Sequence, residues 1–205
     1  RILLVDAQFK GAVAELREKS KSLKTVIYVG EGEGPAGALD YETLVRDTAP
    51  VEDAGASGTD LAAVMYTGGT TGFPKGVMLG HDNLCANALT GLAEGFTHSE
   101  ARALLITPMF HVAAVALMNS HAFAGGTFVI APAFTPLGAL QVIQDQKINR
   151  VLLVPTMIQM VADHPEAAKY DVSSLEVLIY GASAISDAVL KRAMALFSSA
   201  GFMQA

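Results

Sequence analysis

Tryptophan is absent from this chain of 205 residues, cysteine occurs once, and charged side chains make up only 17% of it. Each shortage removes a class of explanation. The lone thiol, Cys85, cannot close an internal disulfide, so nothing points to an oxidising compartment and the expected location is cytoplasmic. The formal net charge is −6, and no basic stripe is present to neutralise a phosphate backbone, so nucleic acid is not an expected partner. No apolar run approaches the roughly 20 residues that span a bilayer. The longest, Val112 to Met118, is soon interrupted by Asn119, Ser120 and His121. The opening residues, Arg1 to Asp6, read as a strand instead of a signal peptide. Neither a metal-spaced histidine pair nor a Ser-His-Asp or Cys-His arrangement stands out.

What is plentiful is apolar surface, at 51% of residues, together with Gly and Ala. Short apolar strands alternate with helical patterns, which predicts an α/β fold of helices packed on mostly parallel sheets. Strands are expected at 2–5, 25–29, 62–66, 77–79, 102–107, 127–131, 151–154 and 175–180. Helices are expected at 9–19, 41–46, 81–92, 112–123, 136–146, 156–163 and 186–197. Thr156 is placed to cap the helix after Pro155, and Ser186 and Asp187 open the last one. A βαβ-like subregion occupies 1–60 and a second region 61–205. The chain opens inside a strand and ends where another starts, at Gly201 to Ala205, as a fragment of a longer protein would.

The densest chemistry lies between Tyr66 and Val77, in the order Tyr-Thr-Gly-Gly-Thr-Thr-Gly-Phe-Pro-Lys-Gly-Val. Its glycines, Gly68, Gly69, Gly72 and Gly76, free the backbone so that successive amides can turn toward one anion. Thr67, Thr70 and Thr71 add hydroxyl donors, and Lys75 adds a mobile positive charge. Small residues, hydroxyls and one lysine suit a triphosphate. The loop is not a Walker A sequence, because Lys75 follows Pro74 and precedes Gly76. It also sits between two strands instead of opening a helix, so donor groups must hold the phosphates without a helix dipole. The bland alternative is a Gly-Thr-rich hairpin turn with an incidental lysine.

That run resembles the phosphate-loop signature of the adenylate-forming (acyl-CoA synthetase) superfamily, with Gly68 where the family usually has serine. Two further segments are similar to the family in the right order. In Thr107-Pro108-Met109-Phe110-His111, the resemblance implies that His111 orients the carboxylate or gates the thiol; the alternative is a histidine capping the next helix. In Tyr180-Gly181-Ala182-Ser183, and again at Gln204 and Ala205, it implies adenine and acyl contacts; the alternative is close packing at an ordinary strand-to-helix turn.

The resemblance implies the large N-terminal domain of an adenylate-forming enzyme, in which an acid and ATP give an acyl-adenylate and then a thioester. The expected cofactors are ATP and Mg2+, with coenzyme A as co-substrate and a small-molecule carboxylate, foremost a fatty acid, as substrate. Phosphate binding falls to Thr67, Gly68, Gly69, Thr70, Thr71, Gly72 and Lys75, with Lys75 and His111 as the catalytic candidates and Thr67 as a metal ligand. Adenine and acyl binding fall to Tyr180, Gly181, Ala182, Ser183, Gln204 and Ala205. An adenylation domain that loads a carrier protein and a non-catalytic nucleotide-binding fragment are the rivals, and a homodimer is left open. The signature's remaining magnesium and hinge motifs are not in the chain, so the isolated fragment is expected to be inactive. The apolar residues of helices 112–123 and 155–163 are expected to be core.

Overall fold

Short runs of branched and aromatic residues make the strands here, and the helices between them carry them back in parallel. The computed structural model describes residues 1–68 and 72–205, in two compact units, Arg1–Ala54 and Gly55–Ala205.

In the first unit, strands β1 (Ile2–Asp6), β2 (Thr25–Val29) and β3 (Leu39–Asp40) form a parallel sheet in that order. Helix α1 (Val13–Lys19) starts later than its apolar spacing predicts, because Lys10–Ala12 winds as a single 3-10 turn. Its Val13 closes a small core with Val5, Val26 and Tyr28. The glycine-rich stretch after β2 wraps the Tyr28 ring, since a Cβ at Gly34 would lie 2.8 Å from it. Asp40 then caps α2 (Tyr41–Asp47), its Oδ1 accepting from the Thr43 amide at 2.8 Å.

The second unit opens with an antiparallel hairpin, β4 (Leu61–Thr67) and β5 (Lys75–Gly80), which runs straight into α3 (His81–Ala93). There Gly80 is the N-cap, and Asn83 Oδ1 accepts from its amide at 2.9 Å. A five-stranded parallel sheet follows. Its strands are β6 (Arg102–Leu105), β7 (Thr127–Ile130), β8 (Arg150–Leu153), β9 (Val177–Tyr180) and β10 (Gly201–Gln204). The spatial order is β10-β9-β8-β6-β7. The helices are α4 (Val112–Ala124), α5 (Pro136–Gln146), α6 (Pro155–Ala162) and α7 (Asp187–Leu196). The Thr156 expectation is corrected: Val154 is the N-cap of α6, Pro155 takes the first helical position, and Thr156 lies inside the first turn.

Strand order decides which helix covers which face. The chain steps outward from β6 to β7, then returns across β6 to β8 and continues to β9 and β10. With right-handed crossovers, that reversal sends α4 to one face and α5, α6 and α7 to the other. Side-chain alternation agrees with this. Leu104, Leu153, Leu178 and Tyr180 join the core under α5, α6 and α7, while Leu105, Leu152 and Ile179 meet Leu117 of α4. The switch in strand order falls between β6 and β8, where open α/β sheets bind ligands at the carboxyl ends of their strands.

Candidate active site

Strands β4 and β5 flank the glycine run, and Thr67 pairs with Lys75 where the two strands end and begin. Thr67, Gly68, Gly72 and Lys75 are all exposed. Gly72 has φ +152°, outside what a side-chain-bearing residue adopts readily. A Cβ at Gly68 would meet nothing within 4 Å among the described residues. Among the described residues, Thr67 Oγ1 donates to the Lys75 carbonyl at 3.5 Å. Gly69, Thr70 and Thr71 lie outside the described residues.

His111 is the N-cap residue of α4, but its side chain makes no capping hydrogen bond. The ring is exposed and lies 4.6 Å from that of Phe110. The capping alternative is thereby removed, and the imidazole is left facing solvent at the carboxyl end of β6. His121, by contrast, is fully buried and engaged. Its Nε2 donates to the Thr127 carbonyl at 2.9 Å, so Nδ1 accepts from the Thr97 hydroxyl at 2.6 Å. Burial holds its pKa below the ordinary imidazole value. A Cβ at Gly126 would sit 2.4 Å from that ring, which makes His121 a fitted core residue.

Between α3, α4 and the sheet lies a cavity of about 420 Å³ with an almost wholly apolar lining. At the carboxyl ends of the strands it is bordered by Val112, Val154, Gly181, Ala182 and Ala205. The turn after β9 is shaped for this. A Cβ at Gly181 would lie 2.4 Å from the Ala205 carbonyl oxygen, so no other residue fits without moving backbone. Ala182 is held at φ +67°, a left-handed conformation costing an alanine roughly 1–2 kcal/mol. That strained residue lines the cavity mouth.

Of the other residues predicted for adenine or acyl contact, Ser183 and Gln204 are exposed beyond the cavity lining. Tyr180 points to the opposite face, against Phe202 with ring centroids 6.4 Å apart. The structure thus brings Gly181, Ala182 and Ala205 together and sends the Tyr180 side chain elsewhere.

Sequence reasoning missed the inner wall. Asn87, Thr90 and Gly91 of α3, Phe96, and Ala113, Ala116 and Ser120 of α4 line the cavity. Helix α4 was read as core, and Ala114 and Leu117 are indeed buried, yet Val112 is 59% exposed. A helix apolar all round needs something against every side, and that was the available signal. A mid-helix glycine was the other: a Cβ at Gly91 would lie 2.5 Å from Ser120 Oγ.

Among the described residues, no group of three or more His, Cys, Asp or Glu could hold a metal ion. The Thr67 hydroxyl alone does not make a divalent-cation site. Nor is any helix long and apolar enough to cross a membrane.

Comparison with known proteins fits this geometry. The chain is 35% identical over 176 residues to a feruloyl-CoA synthase of Amycolatopsis sp, covering 83% of this chain and 35% of that protein. It is 32% identical over 186 residues to the medium/long-chain-fatty-acid–CoA ligase FadD8 of Mycobacterium tuberculosis, covering 89% of this chain and 32% of that protein. The chain therefore spans about a third of the length of these relatives. Among solved structures, the inhibitor-bound N-terminal domain of FACL13 from Mycobacterium tuberculosis superposes with a TM-score of 0.78 at 24% identity, over 98% of this chain and 49% of that one. That likeness establishes the shared fold. The profile of AMP-binding enzymes matches residues 1–205 throughout, and the chain belongs to that family.

Proposed function

We propose that the chain is part of the N-terminal domain of an AMP-forming acid–thiol ligase, and that the cavity between α3, α4 and the sheet receives the acid. The observation that carries this reading is the convergence of Gly181, Ala182 and Ala205 on one apolar cavity at the strands' carboxyl ends. A mostly apolar concavity with a few polar groups is the usual form of a small-molecule site, and 420 Å³ lies within the ordinary range. A fatty acid of medium length, or an aryl acid of similar reach, suits the lining.

In this mechanism the hairpin amides, with Thr67, Thr70 and Thr71, hold the β- and γ-phosphates of ATP. Lys75 steadies the departing pyrophosphate. His111 orients the acid, one of whose carboxylate oxygens attacks the α-phosphorus as the bond to pyrophosphate breaks. A thiolate, that of coenzyme A in the leading reading, then attacks the acyl carbon and AMP leaves. Gly181 to Ser183 hold adenine and the acyl group. Magnesium, arriving with ATP, would neutralise phosphate charge beside the Thr67 hydroxyl.

The test is acid-dependent ATP–pyrophosphate exchange by the complete polypeptide, across short, medium, long-chain and aromatic acids. Exchange with one acid class, lost in a Lys75→Ala, Thr71→Ala variant, is the expected result. Exchange with none would overturn the reading. Thioester formation on adding coenzyme A would separate a ligase from a carrier-loading domain.

A further inference from the structure

The cavity is not uniformly apolar, and its one deeply buried hydroxyl lies at the end away from the mouth. Helix α4 runs antiparallel to the strands, so Val112 marks the carboxyl-end opening. Ser120 lies eight residues further in, roughly 12 Å at the helical rise. Phe96 and Gly91 meet it there and close the inner end. Ser120 is only 2% exposed, yet its Oγ has no hydrogen-bond partner among the described residues and faces the cavity. Thr90, its polar neighbour on α3, is already committed, its hydroxyl donating to the Ala86 carbonyl at 2.9 Å. The missing side chain at Gly91 leaves the space that Ser120 Oγ occupies, 2.5 Å from where a Cβ would stand.

A buried, unpaired hydroxyl is costly against a purely hydrocarbon ligand and becomes favourable once a ligand oxygen reaches it. We infer that Ser120 is a specificity residue for the end of the acid remote from its carboxylate. It favours acids bearing a hydroxyl or carbonyl oxygen there, such as a para-hydroxyaryl or ω-oxygenated alkanoic acid. This rests on the proposed activation of an acid in the same cavity.

The experiment compares matched acids in ATP–pyrophosphate exchange by the complete polypeptide: para-hydroxycinnamate with cinnamate, and ω-hydroxydecanoate with decanoate. The readout is the ratio of kcat/KM within each pair, measured on the wild type and on Ser120→Ala. A preference of about tenfold for the oxygenated member of either pair, the size of one neutral hydrogen bond, is expected to fall to about one in the variant. Equal rates within both pairs, or a preference that survives the substitution, would overturn the inference while leaving acid activation standing. Exchange with no acid would overturn both. If Ser120→Ala does not fold, the wild-type ratios decide alone: a preference supports the inference and equality overturns it.

Discussion

The two faces of the five-stranded sheet are built from the same strands and finished in opposite ways. Under α5, α6 and α7 the core is continuous, with Leu104, Leu140, Ile143, Leu153, Ile158 and Phe197 wholly buried. Under α4, among the described residues, Leu105, Leu117, Leu152 and Ile179 form a smaller buried cluster, and beside them lies the 420 Å³ cavity. Protein interiors are normally packed without such voids, so an open face costs stability that the packed face must supply. One face is packed through, and the other keeps an open cavity.

The sharpest way to break this comparison is to cut into the packed face. Phe197→Ala is expected to cost about 3–5 kcal/mol, read as a lower midpoint in urea unfolding. Leu153→Ala should fall toward the upper end of the roughly 2–5 kcal/mol range for buried leucines, and Leu117→Ala, beside the cavity, toward the lower end. Equal losses would erase the contrast. Filling the open face should do the reverse. Ala116→Phe is expected to leave stability within about 1.5 kcal/mol but to lower kcat/KM for the longest acids at least tenfold, with the KM for ATP unchanged.

At the cavity mouth, Ala182→Gly should be neutral or stabilising by about 1 kcal/mol, because the left-handed conformation no longer strains a Cβ. Ala182→Val should destabilise, and both are read by thermal unfolding. The smallest effect is expected at the amino ends of the strands. There buried Arg150 donates to the half-exposed Glu176 carboxylate at 2.7 Å, holding its pKa below the usual carboxylate range. A depressed folded pKa gives stability that is present above the unfolded value of about 4.3 and lost as pH falls through the folded one. Glu176→Gln should therefore cost about 1 kcal/mol or less at neutral pH, and the difference from wild type should vanish on acidification.

Local chemistry made much of the fold legible in the sequence. Strand β2 and helix α5 occur with the predicted bounds, and the glycine loop does lie between two strands. Ser186 caps α7 as expected, accepting from the Val189 amide at 3.4 Å. The misses have physical reasons. At α6 Thr156 was expected as the cap, but Pro155 takes the first helical position and moves the start upstream of Thr156. At β6 the predicted strand ran on to Thr107, but pairing with β7 ends at Leu105. The inner wall of the cavity was missed because it forms where α3 meets α4 at Gly91 and Ser120, and the mid-helix glycine and all-round apolar helix mark that contact without naming its partner. Of the candidate site residues, those the structure brings to the cavity from the sequence reading include Gly181 and Ala182, on a turn with unusual backbone demands.

The most direct test of the cavity assignment is a crystal structure of the complete polypeptide with a non-hydrolysable acyl-adenylate analogue, an acyl-sulfamoyl adenosine. The acyl chain is expected between α3, α4 and the sheet, with its carbonyl end at Gly181 and Ala182 and its tail toward Phe96 and Ser120. An acyl chain lodged anywhere else, with this cavity left empty, would contradict that assignment.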